Sequence, residues 1–231
     1  MKRFWKVASV TAADGAFGVA LDGRAVKTQG GRTLAVPWRA LAEALAAEWA
    51  AQSEVIDPAK FALRDLADLA IDVIAPDRAA AIAALLRFAE TDTLCYRAEP
   101  DEPLHARQVE LWEPLLGAAE ARLDLHFNRI SGVIHQPQPP ETLRRLEQVL
   151  AAKDDFALAA LTTLASLAAS LVIGLAAVQP GAEPVKLWSA ANLEEDWQAE
   201  QWGEDSDALA LRARRLETFS AAVYFAQLAQ A

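Results

Sequence analysis

The chain has 231 residues, 53% apolar and 23% charged, which is enough to bury a hydrophobic core and excludes an intrinsically disordered protein. Its net charge of −10 argues against non-specific binding to nucleic acid, because such binding depends on lysine and arginine neutralising phosphates. The single cysteine, Cys95, excludes an intramolecular disulfide framework and any zinc or iron–sulfur site built from several cysteines.

The first 60 residues predict a small α+β domain. Short strands are expected over 3–10, 16–21 and 33–36, and Asp14-Gly15 is a dipeptide typical of a two-residue β-hairpin. Helical periodicity then begins at Pro37, which suits a first helical position. A connection is expected over 52–60.

The remaining residues, 61–231, predict a mainly α-helical bundle domain. Helices are expected over 62–74, 77–89, 103–125, 140–152, 155–178, 184–202 and 207–228. In the first of these, Leu63, Leu66, Ala70 and Val73 are expected to face inward, and a kink or restart is expected at Pro114 in the third.

One uncharged stretch, 156–182, is long enough to cross a bilayer. Its leucines fall on one half of a helical wheel and small residues take the other half, and basic anchors and aromatic belts are missing at its ends. This pattern favours the central helix of a soluble bundle and predicts no stable membrane insertion.

Motifs of common catalytic chemistry are absent from the sequence. It contains no phosphate-binding glycine–lysine loop, no dinucleotide fingerprint after a strand and no Gly-x-Ser-x-Gly elbow. His105, His126 and His135 have no second ligand at metal-binding spacing. Cys95 lies in an apolar context, which predicts a buried, unreactive thiol.

Acidic residues are concentrated in one short segment. The 14 residues from Glu194 to Asp207, called here the acidic segment, contain seven acids and no base, with Trp197 and Trp202 among them. Three interpretations are open: a solvated helix face whose acids favour the next helix dipole, a divalent-metal or carboxylate site, and a recognition surface for a basic partner. No histidine joins these acids, which counts against a metal site.

Three blocks of sequence carry a resemblance to a known family over nearly the whole chain. They are Leu21-Asp22-Gly23-Arg24-Ala25-Val26-Lys27-Thr28 running through Val36-Pro37 into Ala40-Leu41-Ala42, Glu90-Thr91-Asp92-Thr93-Leu94-Cys95-Tyr96-Arg97-Ala98 with Arg107-Gln108 and Trp112-x-Pro114-Leu115-Leu116, and Trp197-Gln198 with Trp202-Gly203-Glu204-Asp205. In order and spacing they resemble the assembly chaperones for the α subunit of F-type ATP synthase, of the mitochondrial and α-proteobacterial Atp-twelve type.

The resemblance implies a chaperone and not an enzyme, with no cofactor. Family members bind the newly made α subunit, prevent its self-association and release it when the β subunit takes its place. The family fold is a small N-terminal α+β domain joined to an α-helical domain. It also implies functional importance for Trp202, Gly203 and Glu204.

Together the composition and the resemblance predict a partner-binding surface on the acidic segment. Its residues are Trp197, Gln198, Glu200, Trp202, Gly203, Glu204 and Asp205. The alternative is a small divalent-metal-dependent enzyme using the acidic cluster 194–207. The absence of a targeting segment predicts a bacterial cytoplasmic protein, or a mitochondrial matrix protein for a mature eukaryotic chain.

Overall fold

The computed structural model describes residues 1–132, 134–203 and 206–230. Within these ranges the chain forms short antiparallel strands followed by a series of helices, the class that the sequence predicts. Glu204 and Asp205, two of the predicted partner-binding residues, lie outside the described residues.

The N-terminal sheet is built around one central strand. The strands are β1 (Ala8–Ala13), β2 (Ala16–Leu21), β3 (Arg24–Ala25) and β4 (Ala35–Val36), and β2 pairs antiparallel with each of the other three. Asp14 and Gly15 both have positive φ, 52° and 77°, as the predicted two-residue hairpin requires.

Several boundaries in this region differ from the prediction, including that of β4, which covers only Ala35–Val36 of the expected 33–36. The first strand starts at Ala8 and not at residue 3, because the chain before it is held by the connection after the first helix. There Arg3 donates its backbone N–H to the Glu54 carbonyl (2.9 Å) and its guanidinium to the Gln52 carbonyl (2.6 Å). The first helix, α1 (Arg39–Ala50), begins two residues after Pro37 and packs on β1 and β2.

The predicted helix over 62–74 consists of two kinds of helix. α2 (Ala62–Asp68) continues into a π-helix (Leu69–Ile74), in which the Ala75 N–H donates to the Ala70 carbonyl, five residues back. The wider turn rotates Val73 away from the bundle, so Val73 is 60% exposed and Ile74 is buried. The inward position predicted for Val73 is therefore wrong.

The π-helix holds the loop between β3 and β4. The Asp72 carboxylate accepts hydrogen bonds from the Thr28 hydroxyl (2.9 Å) and the Gly30 backbone N–H (2.7 Å). A Cβ atom at Gly30 would lie 2.7 Å from the Asp72 Cγ, so a larger residue here would push the Asp72 carboxylate out of its position. This loop, which lies within the first family-like block, is thereby anchored to the helical part of the chain.

The middle of the chain supplies three further helices and one small sheet. α3 (Arg78–Glu90) and α4 (Pro103–Leu123) flank β5 (Tyr96–Arg97), which pairs in parallel with β6 (Ile130–Ser131), and α5 (Pro140–Ala151) follows. α4 is continuous, so the restart predicted at Pro114 does not occur. Two side chains close to this proline, Trp112 and Leu116, are fully buried and hold the helix in place.

The single helix predicted over 155–178 is broken. α6 (Asp155–Ala168) ends at Ala169, which is left-handed with φ 47°, and α7 (Leu171–Ala177) begins after Ser170. The Ser170 hydroxyl donates to Asp92 (2.6 Å) and accepts from the Ile173 N–H (3.0 Å), so a tertiary contact fixes the break. Half of the residues of α6, including Leu158, Leu161 and Leu164, are buried, as expected for a central helix.

The C-terminal part contains three helices. They are α8 (Pro184–Ala191), α9 (Leu193–Trp202) and α10 (Ser206–Leu228). The one helix predicted over 184–202 divides at Asn192, whose side-chain amide donates to the Trp188 carbonyl and so ends α8 (2.7 Å). The predicted end at Gly203 is confirmed, with φ 90°.

The buried apolar side chains form one continuous cluster that includes residues before and after position 60. α6 lies at its centre, in contact with α2, the π-helix, α3, α7 and α10. The domain division at residue 60 stays a prediction. In the ranges that the structure describes, no helix has both the length and the apolar character needed to cross a bilayer.

Candidate functional site: the α9–α10 arm

The acidic segment lies in a part of the molecule that is poorly covered. We call residues 193–203 and 206–214 the arm: α9 buries only Leu193, and the first buried side chain of α10 is Phe219. Trp202 is 80% exposed, and Leu209 and Leu211 on α10 are also exposed. The arm therefore presents apolar side chains to solvent beside its acids.

Trp202 stands between two grooves. A groove of about 310 Å³ between α9 and α10 is lined by Gln198, Trp202, Gly203 and Leu209 among others. A second groove, of about 540 Å³, lies between α9 and residues 96–104, and Gln198 and Trp202 line this groove as well. An exposed tryptophan flanked by grooves on both sides is the geometry of an interface anchor.

Ion pairs hold the arm to the bundle and to itself. The Arg107 guanidinium on α4 contacts the Glu200 carboxylate (2.8 Å) and lies over the Trp197 ring, 4.5 Å from its centroid. Asp196 pairs with Arg212, which joins α9 to α10. Trp197 is half-buried by these contacts, so it positions the arm and leaves Trp202 as the exposed ring.

The base of the arm rests on a buried amide. Gln108 accepts a hydrogen bond from the Ala98 N–H (2.9 Å) and donates one to the Glu194 carboxylate (2.7 Å). Burial raises the pKa of the Glu194 carboxyl above its usual value, against the opposing effect of that hydrogen bond. Trp112 donates its indole N–H to the Ala190 carbonyl (2.8 Å) just before α9. The second family-like block therefore builds the platform from which the arm extends.

The structure brings five of the seven predicted partner-binding residues together. Trp197, Gln198, Glu200 and Trp202 lie on α9, and Gly203 ends it. Gln198, Glu200, Trp202 and Gly203 are exposed, whereas Trp197 is half-buried. Glu204 and Asp205 lie outside the described residues, and only their place in the sequence connects them to the arm.

Sequence reasoning missed the contribution of α10. Leu209 and Leu211 add exposed apolar surface, and Arg107 and Arg212 supply the cations that pair with the acids. The leucines had a readable signal, because they lie among charged residues away from the packed stripe that begins at Phe219. The pairing of Arg107 had none, since 93 residues separate it from Glu200.

The arrangement offers no set of groups for metal-assisted chemistry in the part of the chain that the structure describes. No cluster of three or more histidine, cysteine or acidic side chains there could hold a metal ion. Cys95 is buried, as predicted, and burial raises the pKa of its thiol.

The comparisons with known proteins agree with one another. A family model described as "ATP12 chaperone protein" matches residues 2–120. The mitochondrial protein atp12 of Schizosaccharomyces pombe is 27% identical over 219 residues, which is 90% of this chain and 75% of that protein.

Solved structures extend the similarity to the whole chain. The crystal structure of Atp12 from Paracoccus denitrificans is 37% identical with a TM-score of 0.93, covering 99% of this chain and 98% of that one. A crystal structure from Agrobacterium tumefaciens is 40% identical with the same TM-score of 0.93, covering 98% of this chain and 85% of that one.

Proposed function

This chain belongs to the ATP12 chaperone family, and we propose that it binds the free α subunit of F-type ATP synthase through the arm. It keeps the α subunit from aggregating and hands it to the β subunit during assembly of the catalytic sector. The chain acts in the compartment where that assembly occurs, the bacterial cytoplasm or the mitochondrial matrix.

One observation carries the assignment to the arm. Trp202 is 80% exposed and lines two grooves at once, in a segment with seven acids in 14 residues. An isolated exposed tryptophan has a large unburied apolar surface, which a partner can cover at a gain of about 25 cal/mol per Å². Tryptophan is enriched among interface anchors, which a rim of weaker contacts surrounds.

The charge of the arm suits a client that must later be released. Acidic side chains attract a basic patch during encounter and speed capture, while they contribute less to the final affinity. Most of the affinity then comes from covering Trp202 and the leucines of α10. Such a surface protects an α subunit that lacks its β neighbour and still yields to β.

Co-expression of the chaperone with the α subunit, followed by pull-down, tests this function. We expect wild-type chaperone to retain the α subunit in the supernatant and to co-purify with it. Trp202→Ala is expected to lose most of this retention while keeping its circular dichroism spectrum.

Tyr224→Ala is the matched control. Tyr224 is also an exposed aromatic residue, but it lies on the later part of α10, beyond the arm. Equal retention of the α subunit by wild type, Trp202→Ala and Tyr224→Ala would show that the arm is not the binding surface. Absence of co-purification with wild type would show that the α subunit is not the client.

The proposal includes no catalytic step. Asp196 and Glu200 are engaged in ion pairs, and Glu194 is held by Gln108. The competing enzyme hypothesis requires these acids to bind a divalent cation. It predicts that Mg²⁺ or Mn²⁺ raises the thermal unfolding midpoint, whereas we expect no shift.

A further inference from the structure

A groove on the N-terminal sheet has a surface quite unlike that of the arm. It has a volume of about 530 Å³ and lies between the start of the chain, the β2–β3 turn and α1. Its apolar lining comes from Phe4, Trp5, Leu21, Val26 and Trp49. We call it the N-terminal groove.

Three aromatic rings form one wall of the N-terminal groove. Phe4 packs edge-on against Trp5 (5.0 Å between centroids), and Trp5 packs edge-on against Trp49 (5.1 Å). Phe4 is 69% exposed although it is part of this wall. An aromatic side chain kept at the surface beside a groove is available for contact with a partner.

Two polar groups in this wall lack partners. The indole N–H groups of Trp5 and Trp49 are buried and have no hydrogen-bond acceptor among the residues that the structure describes, and Trp5 itself is 96% buried. Leaving a buried donor unpaired costs free energy. A partner in the groove whose oxygen atoms reach these indole groups would satisfy both donors.

The rim of the N-terminal groove is basic. Arg24 and Lys27 are exposed and line it, and neither has an ion-pair partner in the described ranges. The one acid of the lining, Asp22, already accepts hydrogen bonds from the backbone N–H groups of Lys6 (3.0 Å) and Val7 (2.9 Å), which lower the pKa of its carboxyl. Residues 1–60 carry a net charge of +2 in a chain of net charge −10.

We infer that the N-terminal groove is a second client-binding site, which takes an acidic segment carrying an aromatic or aliphatic side chain. Its carboxylates lie against Arg24 and Lys27, and its apolar side chain packs on Phe4 and Val26. The inference rests on the proposed function, because the segment is part of the same client, the α subunit.

A second contact of opposite charge would affect the affinity for the client, its orientation and its release. Two weak sites on one chaperone act together, because binding at the first raises the effective concentration of the client at the second. An acidic arm and a basic groove also accept a client in one orientation, since like charges would meet in the reversed one. Each contact can then be lost separately when the β subunit arrives.

The test reverses the charge of the rim. Arg24→Glu with Lys27→Glu is compared with Arg87→Glu and Arg144→Glu, which make the same change in net charge at exposed bases on α3 and α5. The probe is an array of overlapping peptides that cover the α-subunit sequence, incubated with the labelled chaperone. Pull-down of the co-expressed α subunit is measured for each variant in parallel.

We expect acidic peptides that contain an aromatic residue to bind wild type and the control, and to bind the rim variant roughly tenfold more weakly. The Trp202→Ala variant should bind these peptides as well as wild type does, because the substitution leaves the N-terminal groove unchanged. Phe4→Ala, at an exposed position, should weaken the same peptides, and its circular dichroism spectrum checks that it folds.

Several results would overturn the inference. Acidic peptides that bind the rim variant as well as wild type would show that Arg24 and Lys27 do not recognise them, and so would a lack of any acidic hits. Concentration-dependent dimerisation of the wild-type chaperone that the rim variant loses would assign the groove to a second copy. In each case co-purification of the α subunit with wild type would leave the proposed function standing.

Discussion

The α6–α7 pair and the arm use apolar residues in opposite ways. In α6 and α7 nearly every leucine is fully buried, and α6 packs against α2, α3, α7, α10 and the π-helix. In the arm Trp202 and two leucines of α10 face solvent. The α6–α7 pair stabilises the fold, and the proposed binding role of the arm requires its apolar side chains to stay exposed in the free chaperone.

The two regions differ in their electrostatics as well. Asp92, which follows α3 and lies against the N-terminus of α7, is fully buried and accepts hydrogen bonds from the Ser170 hydroxyl (2.6 Å) and the Val172 N–H (2.9 Å). In the arm, Asp196 and Glu200 lie closer to the surface and form direct ion pairs with Arg212 and Arg107. The contribution of Asp92 to the free energy of unfolding therefore depends on pH, and the attraction that the acids of the arm exert on a partner depends on salt.

The largest expected effect is on stability, from Leu164→Ala in α6. Leu164 is fully buried, so its truncation leaves a cavity and should lower the free energy of unfolding by about 3 kcal/mol. Trp202→Ala should change it by less than about 0.5 kcal/mol, because the ring is exposed. Urea unfolding followed by circular dichroism measures both. Equal losses of stability would contradict the division between the two regions.

The pH is expected to have a smaller effect on the free energy of unfolding, through Asp92. Burial raises the pKa of Asp92 to about 6 in the folded chain, against 3.8 for an unperturbed carboxyl. The folded state therefore binds a proton that the unfolded state releases. The stabilisation is complete below pH 3.8 and is lost as the pH rises through about 6. It amounts to on the order of 3 kcal/mol at most and less over any narrower range.

The comparison of wild type with Asp92→Asn isolates this contribution. The amide keeps the size of the side chain but does not titrate, so the difference in unfolding free energy between the two proteins should change between pH 4 and pH 7. The other carboxyls are common to both and cancel. A difference that stays constant with pH would show that Asp92 does not titrate in this range.

The smallest effect is expected from salt. Screening should slow capture of the α subunit as the ionic strength rises, through loss of long-range attraction to the acidic segment. Glu195→Lys, at an exposed acid without a role in the platform, should reduce the slope of rate against salt in stopped-flow mixing. Glu217→Lys on the later part of α10 is the control. Identical slopes for the two variants would argue against steering by the arm.

Local signals in the sequence predicted the fold class and most of the elements. The Asp14-Gly15 dipeptide and the β2 bounds were readable because turn chemistry and strand length are local properties. The end of α9 at Gly203 was readable for the same reason. The π-helix was missed, because the residues from Leu69 to Ile74 also fit an ordinary helical spacing.

The two helix breaks were not predicted, for different reasons. The break at Ala169 depends on a contact from elsewhere in the chain, and the break at Asn192 depends on a cap that sequence spacing does not show. Ala169 favours a helix by its own propensity, and it is left-handed because Ser170 is held by Asp92, 78 residues away. The break at Asn192 requires its amide to reach the Trp188 carbonyl. The same holds for the candidate site. Composition identified the acidic segment, which is a local property. The grooves beside Trp202 could not be predicted, because they arise from packing of α9 against α10 and residues 96–104.

Site-specific crosslinking tests the central claim most directly. A photoreactive benzoylphenylalanine replaces Trp202 in one variant and Tyr224 in another, each is co-expressed with the α subunit, and the cells are irradiated. We expect a covalent adduct of chaperone and α subunit from position 202 and little or none from position 224. An adduct from position 224 with none from position 202 would contradict the claim that the arm binds the client.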